Sequence, residues 1–242
     1  MNIIKGPKKP TLFVVTDIET TMKNRIAFDI AWLTIDRRGR EYGQGSFLVK
    51  ESFNQDMPFY REKVGNYFED VYDRHIKPET IKHIREAYNE QIVDFQTQGY
   101  RVIAAAYNAV FDFTHLPRTL NHLTNGRLMR WLDQKVEILD IWDYWGLSVP
   151  KHYAKVAKPT ESGKFISTSA ESAYAYEFNI PHFVEKHMAY DDCKIEAQLL
   201  QKVLSRKKPM PIYDSPGKLP GAVWKKINTR LGIDGKQLLV AV

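Results

Sequence analysis

The chain has 242 residues, 43% hydrophobic and 26% charged, which suits one sizeable folded domain and argues against wholesale disorder. A formal net charge of +6 admits an anionic partner, while apolar runs far short of a bilayer span exclude a conventional transmembrane helix. The single cysteine, Cys193, excludes an intramolecular disulfide and a cysteine-rich zinc site and reads as a small core residue. The opening MNIIKGPKKP has no apolar stretch of the signal-peptide kind, so a cytoplasmic location without a membrane partner is the expectation.

The first element is the strand LFVVTDIETT, residues 12–21. Segments 25–36 and 41–49 flank the turn Arg37-Arg38-Gly39-Arg40 and read as a hairpin. Tyr60, Val64, Tyr67, Phe68 and Val71 recur at helical spacing between residues 59 and 72. A further helix is expected from Pro78 to Gly99, with Ile81, Ile84, Tyr88, Ile92 and Phe95 on one stripe. RVIAAAY, residues 101–107, reads as a short buried strand, residues 112–123 as a helix with Leu116, Leu120 and Leu123 inward, and residues 136–139 as another strand.

From 148 to 168 no periodicity is visible, and the segment is expected to be a loop or flap. Thr168-Ser169-Ala170-Glu171 fits a capping box that opens a helix to about Phe178, and a last helix covers 189–205. Strands followed by alternating helix and strand predict an α/β domain with a mixed sheet over residues 1–208. Residues 209–242, with four prolines by position 220, are expected to wrap the same domain as an extension.

In a strand, Asp17 and Glu19 point to the same face, so two carboxylates stand side by side where an apolar run ends. A divalent cation between them would relieve their repulsion, and so would simple hydration of the strand end; this segment leaves both open. Two later segments bear on the choice. AYNAVFDFTHL, residues 106–116, places Asp112 where a buried strand gives way to a helix. HMAYDDCKIEAQLL, residues 187–200, puts His187 before the last helix and Asp192 in its first turn. Four carboxylates from separated elements, meeting beyond strand ends, suit two hard divalent cations that activate water and stabilise a leaving oxygen. An imidazole beside them could accept the water's proton.

DIETT, NAVFD and HMAYDD, in this order and in these strand and helix contexts, resemble the three motifs of the DEDD exonucleases, in the histidine branch of that family. The resemblance runs from Val14 to about Leu204. It implies an RNase H-like exonuclease fold, a central mixed sheet flanked by helices. It implies that Asp17, Glu19, Asp112 and Asp192 hold two magnesium or manganese ions, and that His187 is the general base. Thr20 and Asn108 would contact the terminal nucleotide, and nucleoside monophosphates would leave one at a time from single-stranded 3′ ends.

Met188 stands where the tyrosine branch of the family has its tyrosine. Tyr107 replaces a frequent histidine and Met188 a frequent arginine, which bears on how the terminal nucleotide is held.

DNA is the expected substrate slightly ahead of RNA; an exoribonuclease of RNA trimming or turnover is the alternative, and an inactive nucleic-acid-binding module a third reading. The sequence carries no dimerisation signal. Taken alone, Asp112 is a helix cap and His187 a loop histidine, and their joint spacing reverses both readings. Glu196, one turn beyond Asp192, is read as a solvation or ion-pair residue and left outside the site. The remaining six histidines are given no role. Arg37, Arg38 and Arg40 read as a solvated turn. The lysines of 151–164, interleaved with Tyr153 and Phe165, read equally as a plain loop or as a basic, base-stacking contact with single strands.

Overall fold

The computed structural model describes residues 9–53, 76, 78–157 and 166–214. The expected helix at 59–72, His75, the lysines at 158 and 164, Phe165 and the extension beyond 214 lie outside the described residues.

Strands β1 (Thr11–Thr20), β2 (Ala27–Asp36) and β3 (Glu41–Val49) form an antiparallel meander. A two-residue strand β4 (Pro78–Glu79) joins its outer edge, followed by helix α1 (Ile81–Thr97). On the other side of β1 come β5 (Arg101–Ala106), α2 (Ala109–Leu123) and β6 (Glu137–Asp140). Then follow α3 (Ile141–Ser148), the single turn α4 (Tyr153–Val156), α5 (Ala170–Glu177), α6 (Ala189–Ser205) and β7 (Ile212–Tyr213).

The sheet order is β4-β3-β2-β1-β5-β6-β7, with β2 and β7 antiparallel to the rest. The inner run β3-β2-β1-β5-β6 with β2 reversed is the RNase H-like arrangement that the motifs imply. It is a mixed α/β sheet covered by helices on both faces.

Alternation along β1 sorts the two cores. Phe13 and Val15 join the cluster that packs on α3, α5 and α6, whereas Leu12, Val14 and Ile18 join the one on α1 and α2. Asp17 and Glu19 continue the Phe13–Val15 row, so they emerge on the α6 side where the apolar part of that row ends. Cys193 is buried in this layer, its thiol 3.3 Å from the Ala31 carbonyl oxygen, in agreement with the core reading.

Several boundaries differ from the sequence expectation. Pro78 belongs to β4 rather than to the first helical turn; Thr80 caps α1, its hydroxyl accepting from the His83 amide, and Gly99 ends the helix at φ +90°. Helix α2 starts at Ala109, three residues earlier than expected, because Asp140 from β6 caps it in place of Asp112. Ser169, not Thr168, is the N-cap of α5, and Glu171 accepts from the Glu185 amide instead of closing a capping box. Helix α3 has no counterpart in the sequence reading. Seven of its eight residues are buried, polar Asp143 and Ser148 among them, so no period of exposed positions marks it. Of the expected extension, β7 pairs antiparallel with β6.

Candidate active site

The C-terminal end of β1, the β5–α2 corner, the segment before α5 and the start of α6 enclose a cavity of about 360 Å³. It is lined by all seven residues singled out from the sequence: Asp17, Glu19, Thr20, Asn108, Asp112, His187 and Asp192. Ligand atoms of Glu19, His187 and Asp192 lie within 4.8 Å of one another, a spacing compatible with one shared cation.

Each side chain is positioned by its own element. Asp17 and Glu19 sit opposite Ala31 and Asp29 in the β1–β2 ladder. Asp29 reaches the N-terminus of α6 and accepts from the Ala189 amide at 3.2 Å, which supplies the cap that Met188 cannot. That bond ties the first turn of α6, with Asp192, to the strand beside Glu19. His187 adopts a left-handed backbone, φ +53°, just before this turn. Asp112 comes over the end of the sheet from the α2 layer, in the first turn of that helix.

Asn108 is also left-handed, φ +64° and ψ +54°, and turns the chain from β5 into α2. Its side chain makes no cap hydrogen bond. The Asp140 carboxylate takes both the Asn108 and the Ala109 amides, so the Asn108 side chain is not spent on capping and lines the cavity.

The electrostatics of the cavity are those of crowded carboxylates. Burial and then the charges of Glu196, Asp112, Asp192 and Glu19 push Asp17 well above the ordinary carboxylate range. Burial also raises Asp112, partly offset by backbone amides, its own and that of Ile18. Asp192 rises to about 8, through burial first and the neighbouring Glu185 and Asp191 charges after it.

One oxygen of Asp112 and one of Asp192 are buried without a hydrogen-bond partner. An unmet buried acceptor costs about 1–3 kcal/mol, more when charged, so the chain leaves here a demand for positive charge that it does not meet itself. Hard carboxylate oxygens are the donor set of a hard divalent cation, and the residues present fit such an ion with an imidazole beside it.

Two carboxylates that the sequence reading left out also line the cavity. Glu196 is 3% exposed, and its Oε2 accepts from the Tyr107 amide at 3.1 Å. Burial and the Asp112 charge raise it well above the usual glutamate range. A helical phase measured from the apolar face could have placed it inward, beside Asp192. Glu185, raised to about 7 by burial and by Glu171, lies in a non-repetitive segment where spacing carries no signal.

Among the basic loop residues, Lys151 and Lys155 are exposed. Tyr153 is 2% exposed and donates its hydroxyl to the Ser167 carbonyl, so it is a core residue and not a base-stacking platform. None of the described unassigned histidines lines the cavity; His115 packs on Phe111, and His152 meets the Tyr176 hydroxyl.

No protein-family model matches the sequence, and no curated protein matches it. Among solved structures the chain is similar to the zinc ion bound form of the E. coli ExoI–ssDNA complex, at 14% identity and a TM-score of 0.48. The match covers 83% of this chain and 42% of that one, so the chain spans less than half the length of that neighbour. With a likeness of that degree, function rests on the site's own geometry. No described helix is long and apolar enough to cross a membrane.

Proposed function

We propose that the protein is a metal-dependent 3′–5′ exonuclease that releases nucleoside monophosphates from single-stranded 3′ ends, DNA slightly ahead of RNA. The observation that carries this reading is the convergence of Glu19, His187 and Asp192 ligand atoms within 4.8 Å in a cavity shared with Asp17 and Asp112. The unpartnered buried oxygens of Asp112 and Asp192 support it.

In this reading Asp17, Glu19, Asp112 and Asp192 hold two magnesium or manganese ions. Divalent cations held there would neutralise phosphoryl charge and make water a competent nucleophile. His187 accepts the proton from the attacking water, a role supported by its imidazole lying beside Glu19 and Asp192. Thr20 and Asn108 orient the terminal nucleotide from two adjacent walls. A cavity of about 360 Å³ lies in the range of pockets that take one small-molecule unit, as a terminal nucleotide is.

The test is incubation of the protein with 5′-labelled single-stranded DNA, duplex DNA and RNA of equal length, with magnesium and with EDTA. The expected result is a ladder of products shortened from the 3′ end of single-stranded DNA, absent in EDTA. Faster shortening of RNA would move the reading to an exoribonuclease. Internal cleavage, or an unchanged ladder in chelator, would overturn it.

A further inference from the structure

Glu196 lies outside the motif spacing, yet it is more enclosed than Asp192 on the same helix, 3% against 7% exposed. Its placement carries a cost: a carboxylate has been taken out of water and set near Asp112 and Asp17. A glutamate serving only solubility would not be buried there. The bond it makes indicates its use.

Three successive backbone amides at the β5–α2 corner, those of Tyr107, Asn108 and Ala109, are held by two buried carboxylates. Asp140 takes the second and third, at 3.3 and 3.0 Å, and Glu196 takes the first, at 3.1 Å. The two come from different elements, Asp140 from the end of β6 and Glu196 from α6. Between them the left-handed Asn108 and the first turn of α2, with Asp112, are clamped. The restraint continues outward, because the Tyr107 hydroxyl donates to the Thr168 carbonyl at 2.7 Å and so holds the wall formed by residues 168–170.

We propose that Glu196 is a positioning residue: its carboxylate grips the Tyr107 amide and fixes the corner that presents Asn108 and Asp112 to the cavity. Through Tyr107 it also sets the opposite wall at Thr168. Its effect on turnover rests on the nuclease reading; its effect on the corner does not.

The experiment compares Glu196→Met, which fills the same volume without an acceptor, with Glu196→Gln, which keeps an acceptor oxygen and removes the charge. Exchange of the Tyr107 amide is read by NMR on the metal-free protein, and kcat and KM are measured on single-stranded DNA with magnesium. In Glu196→Met the Tyr107 amide should exchange at least about tenfold faster than in the wild type. Turnover should fall about 30-fold with KM within about threefold, inside the hundredfold range that small misplacements cost. Glu196→Gln should recover about tenfold of that turnover and most of the protection.

Unchanged protection in Glu196→Met would overturn the proposal. So would a Gln variant as slow as Met whose Tyr107 amide stays protected, since the carboxylate would then act by charge and not by holding the corner. If the wild type fails to cleave any strand, the nuclease reading falls, while amide exchange still decides the role of Glu196.

Discussion

Asp140 and the pair Asp112 and Asp192 are buried almost equally, at 2%, 2% and 7% exposure, and face opposite situations. The Asp140 carboxylate accepts from four backbone amides, those of Asn108, Ala109, Trp142 and Asp143, and caps two helices at once. Burial lifts it to about 7 even so. Asp112 and Asp192, in and beside the same corner of the fold, each keep an oxygen that nothing in the chain satisfies. Burial of a carboxylate is therefore no sign of function in this molecule. Unmet acceptor capacity facing the cavity is what distinguishes Asp112 and Asp192 from Asp140.

The comparison breaks most visibly in activity. Asp192→Ala and Asp112→Asn should reduce hydrolysis to background and weaken manganese binding measured by calorimetry, as EDTA should in the wild type. Asp140→Ala should leave a binding-competent site in whatever fraction stays folded. Its cost falls on stability, roughly 2–4 kcal/mol for two lost caps and the amides left unpaired, read by urea denaturation. In EDTA at pH 8, Asp112→Asn should shift the melting temperature upward, because the neutral amide avoids the cost of protonating a buried carboxyl well above its unfolded value. A downward shift there, like that of Asp140→Ala, would erase the distinction between the two kinds of carboxylate.

His187→Ala comes next, with turnover about 100-fold lower, the scale of a lost general base, and single-stranded binding retained. Unchanged turnover would remove His187 from proton transfer.

The distinction between cap and ligand marks what was legible in the sequence. Asp17, Glu19, Asp112, His187 and Asp192 were expected together from the motif resemblance and do line one cavity, and strand alternation put the first two on one face. Helix α6 was read at its observed bounds, Ala189–Ser205, because its apolar stripe and its polar face alternate clearly. Asp140 was only half legible: the Trp142 and Asp143 amides are a local helix cap that went unseen with α3, whereas the Asn108 and Ala109 amides reach it only through β6 pairing with β5, which no local pattern records. Glu196 was read as a solvation or ion-pair residue although the phase of α6 turns it inward; only its partner, the Tyr107 amide 89 residues away, lay beyond local reading. Helix α3 was missed because burial at nearly every position, whatever the residue type, leaves no period.

Protons and cations compete for the unmet oxygens, which sharpens the comparison further. Asp192 has an ordinary value of 3.8 and is raised to about 8 in the folded chain, and Asp17, Asp112 and Glu196 are raised as well. The metal-free fold then binds more protons than the unfolded chain across that window, and its stability falls as pH rises from about 4 to about 8. The EDTA-treated protein should melt higher at pH 6 than at pH 8, and the gain in melting temperature on adding magnesium should be larger at pH 8. A melting temperature that rose with pH would mean that these carboxylates are not held neutral by the fold.

The smallest expected effect belongs to Asp191, adjacent to Asp192 and identical to it in chemistry. At 100° per residue from Ala189, Asp192 falls at roughly 300°, on the edge of the buried face, and Asp191 at roughly 200°, on the polar side. The structure separates the two by partner more than by exposure, since the Asp191 side chain is only 16% exposed. Asp192 lines the cavity, whereas Asp191 lies 3.4 Å from Lys194 Nζ and 3.9 Å from Lys186 Nζ. Both lysines are solvent-accessible, so their ammonium groups remain hydrated and screened in these pairs. Asp191 still raises Asp192 as a neighbouring charge, so Asp191→Ala should lower the proton affinity of Asp192 slightly and leave catalysis near the wild-type level. Side by side in one nuclease assay, Asp191→Ala should retain most activity and Asp192→Ala none. The reverse result would place the helix one residue out of phase and move the ligand role to the wrong neighbour.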